Sequence, residues 1–104
     1  MTVWSMLTTK VAADAADSTI AAFVNRRCIE ESAETIPGFQ HGQLLQSTKD
    51  RGVLCVLCAW DDKASYRQWL DSPLRAKQFP DLQGILTGNL ETGEFVSVHD
   101  VEKP

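Results

Sequence analysis

The sequence lacks any cluster of lysine or arginine. Its 10 basic residues are outnumbered by 14 acidic ones, giving a formal net charge of −4. A protein that neutralises a phosphate backbone needs a basic stripe, so no nucleic-acid partner is expected. Long apolar runs are also missing: none approaches the roughly 20 residues of a membrane span, and no membrane partner is expected. The opening MTVWSMLTTKV has no basic stretch followed by a long apolar one, so no signal peptide is expected. Cysteine is scarce and odd in number, with 3 residues, which makes no disulfide framework. Together these features point to a reducing compartment, most simply the cytoplasm. No G-x-S-x-G context surrounds Ser5, Thr8 or Thr9. There is no phosphate-binding glycine loop, no H-E-x-x-H motif and no pair of acids at a buried spacing. An enzyme with so few resident reactive groups must draw much of its reactivity from its substrate.

What remains is one domain, 1–104, with 43% apolar residues to build a core. Thr2 to Val11 is β-branched and aromatic and reads as a strand. A helix follows, capped by Asp17 or Ser18, with Ile20, Phe23, Val24, Arg27 and Cys28 at helical spacing and Glu30, Glu31 and Glu34 outward. Pro37-Gly38 stops it. Phe39 to Ser47 and Val53 to Trp60 form a hairpin around the polar turn STKDRG. Asp61 or Asp62 caps a second helix carrying Ala64, Tyr66, Trp69 and Leu70, which Ser72-Pro73 restarts. FPDLQGILTGN is a loop or a short turn of helix, and Gly93 to Val101 is the last strand. The order strand, helix, strand, strand, helix, strand is the α+β, ferredoxin-like split β-α-β-β-α-β plan: a four-stranded antiparallel sheet with its helices on one face.

Cys55 and Cys58 have C-x-x-C spacing. Side chains three apart in a strand face opposite ways, so the pair can share neither a disulfide nor a metal. A metal site would need two more ligands, and His41 and His99 are the only histidines. No metal is expected, and the cysteines read as buried free thiols, Cys28 included. VLCVLCAW is apolar on both faces, although an antiparallel sheet normally shows one face to water. A second copy is the simplest cover. It would bury Leu54, Val56, Cys58 and Trp60 of each chain, joined by Trp4 and Met6, and the expected partner is therefore another copy in a homodimer.

ESAETIPGF, then VLCVLCAWDDKASYRQWLDSP, then GEFVSVHD resemble the antibiotic biosynthesis monooxygenase family from Val3 to Asp100. The most specific signature is Trp60, an acidic cap, Tyr66, Trp69 and Ser72-Pro73, with Glu34 before Pro37-Gly38-Phe39. The resemblance implies a dimeric α+β barrel. One branch of that family oxidises anthrone-type polyketides to quinones with oxygen and no metal or flavin. Another binds and degrades haem, using an asparagine, a tryptophan and a histidine. Those positions correspond here to Leu7, Trp69 and Gln78, so two of the three groups are absent.

The candidate site follows from both lines of reading. Trp69 can wall a pocket between helix and sheet, or simply fill the core. His41 can serve as general base if it shares the inward face of Phe39. These two are the candidate catalytic groups. Leu7, Arg27, Tyr66, Gln78 and Phe79 are candidate substrate-binding residues. Arg27 could reach a carboxylate or phenolate, or could pair with Glu30 or Glu31. Arg75, Lys77 and Gln78 could ring the mouth. The expected ligand is a hydrophobic or aromatic small molecule, oxidised without a cofactor. The alternatives are a binding or accessory protein that transforms nothing, and an atypical haem-binding member.

Overall fold

A run rich in β-branched and large apolar residues, VWSMLTTK, carries the first strand, β1, from Val3 to Lys10. The computed structural model describes residues 1–82 and 90–104, without the side chain of Phe79. After a 3-10 turn at Ala13–Ala15 come helices α1 (Ala16–Asn25) and α2 (Cys28–Thr35), then strands β2 (Phe39–Gln46) and β3 (Val53–Trp60). Helices α3 (Lys63–Leu70) and α4 (Pro73–Leu82) follow, and then strand β4 (Glu91–Val96). The sheet order is β2-β3-β1-β4, antiparallel throughout. Each pair of helices therefore carries the chain over one intervening strand, which is the split arrangement expected from the sequence.

Local chemistry explains most boundaries. Asp62 caps α3, its carboxylate accepting from the Ser65 backbone N–H at 2.8 Å and from the Ser65 hydroxyl at 2.8 Å. Those two donors hold the Asp62 carboxyl below the usual carboxylate range. Ser72 Oγ accepts from Leu74 N at 3.2 Å just before α4, with Pro73 in the first helical position.

Two expectations are corrected, and a third, the short turn of helix in FPDLQGILTGN, is met through Leu82. The first helix is two helices, because Arg27 adopts a left-handed conformation (φ 59°, ψ 40°) that interrupts the backbone ladder. The last strand ends at Val96 rather than Val101. Ser97 N donates to Thr2 O at 2.9 Å, and β1, beginning at Val3, offers no partner beyond that bond. FPDLQGILTGN begins as the last turn of α4 through Leu82, and residues 83–89 lie outside the described residues.

A further correction concerns β3. Its two faces are apolar as expected, but the assignment of the faces is reversed. Leu54, Val56, Cys58 and Trp60 face the helices. Trp60 is 1% exposed and sits in a cluster with Val3, Ile36, Cys58, Tyr66 and Trp69. Its indole N–H donates to Ser5 Oγ at 3.0 Å. The Phe39 ring meets it edge-on at 5.4 Å, and Tyr66 lies at 5.6 Å. Alternation then sends Cys55 and Leu57 to the other face, with Trp4, which is paired to Ala59 and Phe95, and Met6, which is paired to Leu57. Cys55 and Cys58 do point to opposite sides.

Gly42 lies on the helix-facing side of β2, opposite Cys58. A Cβ there would stand 2.6 Å from Ile29 Cγ2 and 2.9 Å from Phe39 Cζ, so its absence lets α2 settle directly on the sheet. Replacing Trp60 by phenylalanine removes volume from the core and the donor from Ser5 Oγ. Trp60→Phe should cost about 1–3 kcal/mol, read as a lower urea midpoint with an unchanged slope. An unchanged midpoint would show that Trp60 is not the packing centre.

Candidate functional site

Between the helices and the sheet lies a cavity of about 90 Å³. Its floor comes from β1 and β3 through Ser5, Leu7, Val56, Cys58 and Trp60. Its walls come from Phe23 of α1, from Cys28, Ile29 and Ser32 of α2, from Tyr66 and Trp69 of α3, and from Arg75 and Gln78 of α4. The split between α1 and α2 brings Ser32 and Cys28 to it, and the Asp62 cap fixes the helix that carries Tyr66 and Trp69. A second compartment of about 20 Å³ shares Leu7, Phe23 and Val56 with the first. It is closed by Thr9, Thr19, Leu44, Leu54 and Leu90.

The polar groups are distinct in state. Trp60 occupies one lone pair of Ser5 Oγ, so the Ser5 proton is turned away from the indole. Ser32 Oγ donates to Ile29 O at 2.7 Å, leaving its oxygen as an acceptor. Burial pushes the Tyr66 phenol above its ordinary pKa, opposed by the nearby Arg75 guanidinium, so at neutral pH the phenol is a hydrogen-bond donor. Gln78 Nε2 donates to Cys28 O at 3.1 Å and to Glu31 Oε1 at 3.0 Å, tying α4 to α2. That amide, with Arg26, lowers the Glu31 pKa. Arg26 in turn bridges Glu31 at 2.9 Å and Asp81 at 2.6 Å.

The structure brings Leu7, Tyr66, Trp69 and Gln78 together, and it separates the other candidates from them. His41 is across the sheet: a β-bulge between Phe39 and His41 pairs Phe39 with Trp60 but His41 with Ala59. The shared inward face expected of the two residues does not hold, and His41 is exposed on the far side. Arg27 pairs with Glu34 on the outer surface instead of reaching inward or meeting Glu30 or Glu31. Phe79 lies on α4, with its side chain outside the described residues. Ser5, Phe23, Cys28 and Ser32 were not anticipated. For Ser5 a signal existed: it is a polar residue at an inward strand position between Val3 and Leu7, where alternation calls for an apolar one.

A family model described as antibiotic biosynthesis monooxygenase matches residues 3–78. The chain belongs to this family. Among similar solved structures is SnoaB, a cofactor-independent oxygenase from Streptomyces nogalater, with TM-score 0.68 and 18% identity over 98% of this chain and 97% of that one. A conserved protein from Methanosarcina mazei Go1 gives TM-score 0.75 and 19% identity over 91% of each chain. At such identities the likeness establishes the fold. No curated protein matches.

Haem, which the resemblance implied for one branch of the family, does not fit the donor set here. Leu7 carries no donor atom, the Gln78 amide is committed to Cys28 and Glu31, and no histidine among the described residues lines the cavity. Among the described residues no group of three or more His, Cys, Asp or Glu could hold a metal ion, and no helix is long and apolar enough to cross a membrane.

Burial pushes the Cys28 thiol up to about 11 and the Cys58 thiol up to about 12. A thiol whose folded pKa is raised contributes stability that is complete below its unfolded value, near 9.0, and lost as pH rises through the folded value. The urea midpoint should therefore fall from about pH 9 to about pH 12, less steeply in Cys58→Ala. At pH 8 a thiol-directed reagent should label Cys28 and Cys58 only after denaturation. Rapid labelling of either in the native protein would contradict their burial.

Proposed function

We propose that this protein oxidises an electron-rich phenolic aromatic of the polyketide type with molecular oxygen and no cofactor. The observation that carries the reading is the cavity beside Trp69 and Tyr66, mainly apolar with a few polar groups in its wall, in a chain that belongs to a monooxygenase family. Trp69 and Tyr66 offer an aromatic wall for a planar ring to pack against. The Tyr66 phenol, the Ser5 hydroxyl and the Arg75 guanidinium are placed to favour the anionic form of a bound phenol or enol. Loss of a proton to water leaves a carbanion-like substrate. One electron passes to oxygen, and the resulting pair combines into a hydroperoxide. Loss of water then leaves a carbonyl, so that CH2 plus O2 becomes C=O plus H2O. The chain's own contribution is orientation, exclusion of bulk water and stabilisation of the anion.

A cavity of about 90 Å³ is well below the roughly 300–1,000 Å³ of drug-sized ligand sites, so a tricyclic substrate must displace part of the helical wall on entering. The half-buried Phe23, which stands between the two compartments, is the side chain best placed to move. We also propose that the working unit is a homodimer closed over the face bearing Trp4, Met6, Cys55 and Leu57, with Leu45 and Phe95 at its edges.

A second reading draws on one observation: among the described residues no histidine or carboxylate lines the cavity as a ready base. In it the same site holds an aromatic metabolite without transforming it.

With 1,8-dihydroxyanthrone the protein should consume oxygen one-to-one with quinone formed, unaffected by chelators. Arg75→Met and Trp69→Ala should lower kcat/KM by roughly tenfold or more, the size typical of removing one electrostatic or orienting group. Tight binding with oxygen uptake no faster than uncatalysed autoxidation would reject the oxygenase and favour the binding protein.

A further inference from the structure

The smaller compartment holds the one buried side-chain oxygen or nitrogen that has no hydrogen-bond partner among the described residues, the hydroxyl of Thr9. Thr9 is 8% exposed and lines a space otherwise walled by Leu7, Phe23, Leu44, Leu54, Val56, Leu90 and Thr19. Thr19 cannot satisfy it as donor, because its own hydrogen goes to Ala15 O at 2.8 Å. A buried hydroxyl without a partner is destabilising, and valine would have the same shape without that penalty. A position with this cost calls for an explanation outside the folding of the chain.

The location supplies one. Ser5, Leu7 and Thr9 lie on the same side of β1, facing the helices. Ser5 belongs to the larger compartment, Thr9 to the smaller, and Leu7 to both, as do Phe23 and Val56. The two spaces are therefore consecutive along one strand, divided by apolar side chains and ended by a hydroxyl at each extreme. We propose that they are the two ends of a single binding cleft, and that Thr9 is the inner anchor that selects ligands bearing an oxygen at the buried end. The ligand class is an elongated, largely apolar aromatic with a hydroxyl or carbonyl at both extremities. Four residues of antiparallel strand span about 14 Å, and two hydrogen bonds of roughly 2.8 Å leave oxygens about 8 Å apart. A hydroxyl on the ligand's inner end accepts from Thr9 and donates to the free lone pairs of Thr19. A carbonyl there uses Thr9 alone. This specificity role rests on the reading of the larger cavity as a ligand site, but not on any oxidation occurring there.

The test uses two probes, 2,6-dihydroxynaphthalene and 2-naphthol, titrated calorimetrically into the intact protein and into Thr9→Val. The native protein should bind the dihydroxy probe about tenfold more tightly than the monohydroxy one, the ratio a single hydrogen bond to a buried hydroxyl supports. Thr9→Val should erase that preference, weaken the dihydroxy probe more than 2-naphthol, and melt at the same temperature or higher. The inference is overturned by equal affinities in the native protein, by a preference that survives in Thr9→Val, by failure of both probes to bind, or by a lower melting temperature in Thr9→Val. That last result would mean the hydroxyl serves the fold. Oxygen uptake measured separately distinguishes the two claims. A Thr9-dependent preference without uptake keeps the anchor and rejects the oxidation.

Discussion

Helices cover one side of this four-stranded sheet and leave the other for something else to hide. Trp60 decides which side is which. Its indole is 1% exposed, packed between Phe39 and Tyr66, with its N–H satisfied by Ser5. A side chain of that size with a polar handle has few acceptable positions in so small a core, and this one fixes the facing of β1 and β3 together. Once Trp60 is inward, Ser5, Leu7 and Thr9 are inward as well, and the floor of the cavity is determined. The bond that anchors the indole also commits one lone pair of Ser5, which leaves the Ser5 proton for the cavity.

The same decision exposes the other set. Trp4, Met6, Cys55 and Leu57 lie at the centre of the bare face, with Leu45 at 40% exposure and Phe95 at 54% on the outer strands. A contiguous apolar patch of this kind marks an interaction surface. The cavity floor and the bare sheet face are thus two consequences of one strand that is apolar on both sides.

Much of this was legible in the sequence because local rules carried it. The Asp62 and Ser72 caps, the Pro37-Gly38 stop and the hairpin turn each follow from backbone hydrogen-bonding needs of nearby residues, and the family signature in Trp60, Tyr66, Trp69 and Ser72-Pro73 fixed the fold. The features that were not legible have no compositional mark. Arg27 adopts a left-handed backbone where glycine or asparagine would have announced it. The bulge before His41 adds one residue and turns that imidazole away from the cavity without altering the apolar pattern around it. The sequence shows that β3 has two apolar faces, but the choice between them depends on the packing of Trp60 against residues some 20 to 55 positions distant. The hydroxyls of Ser5 and Thr9 looked like ordinary strand residues. They gain meaning only when the helices close over them.

Sedimentation equilibrium at micromolar protein, for the native chain and for Leu57→Glu, tests this two-sided account most directly. The native protein should sediment at twice the mass of one chain. Leu57→Glu should sediment as a monomer whose far-UV circular dichroism and cooperative urea unfolding still report a folded chain. A native protein that sediments as a stable monomer, with its bare face open to water, would contradict the account.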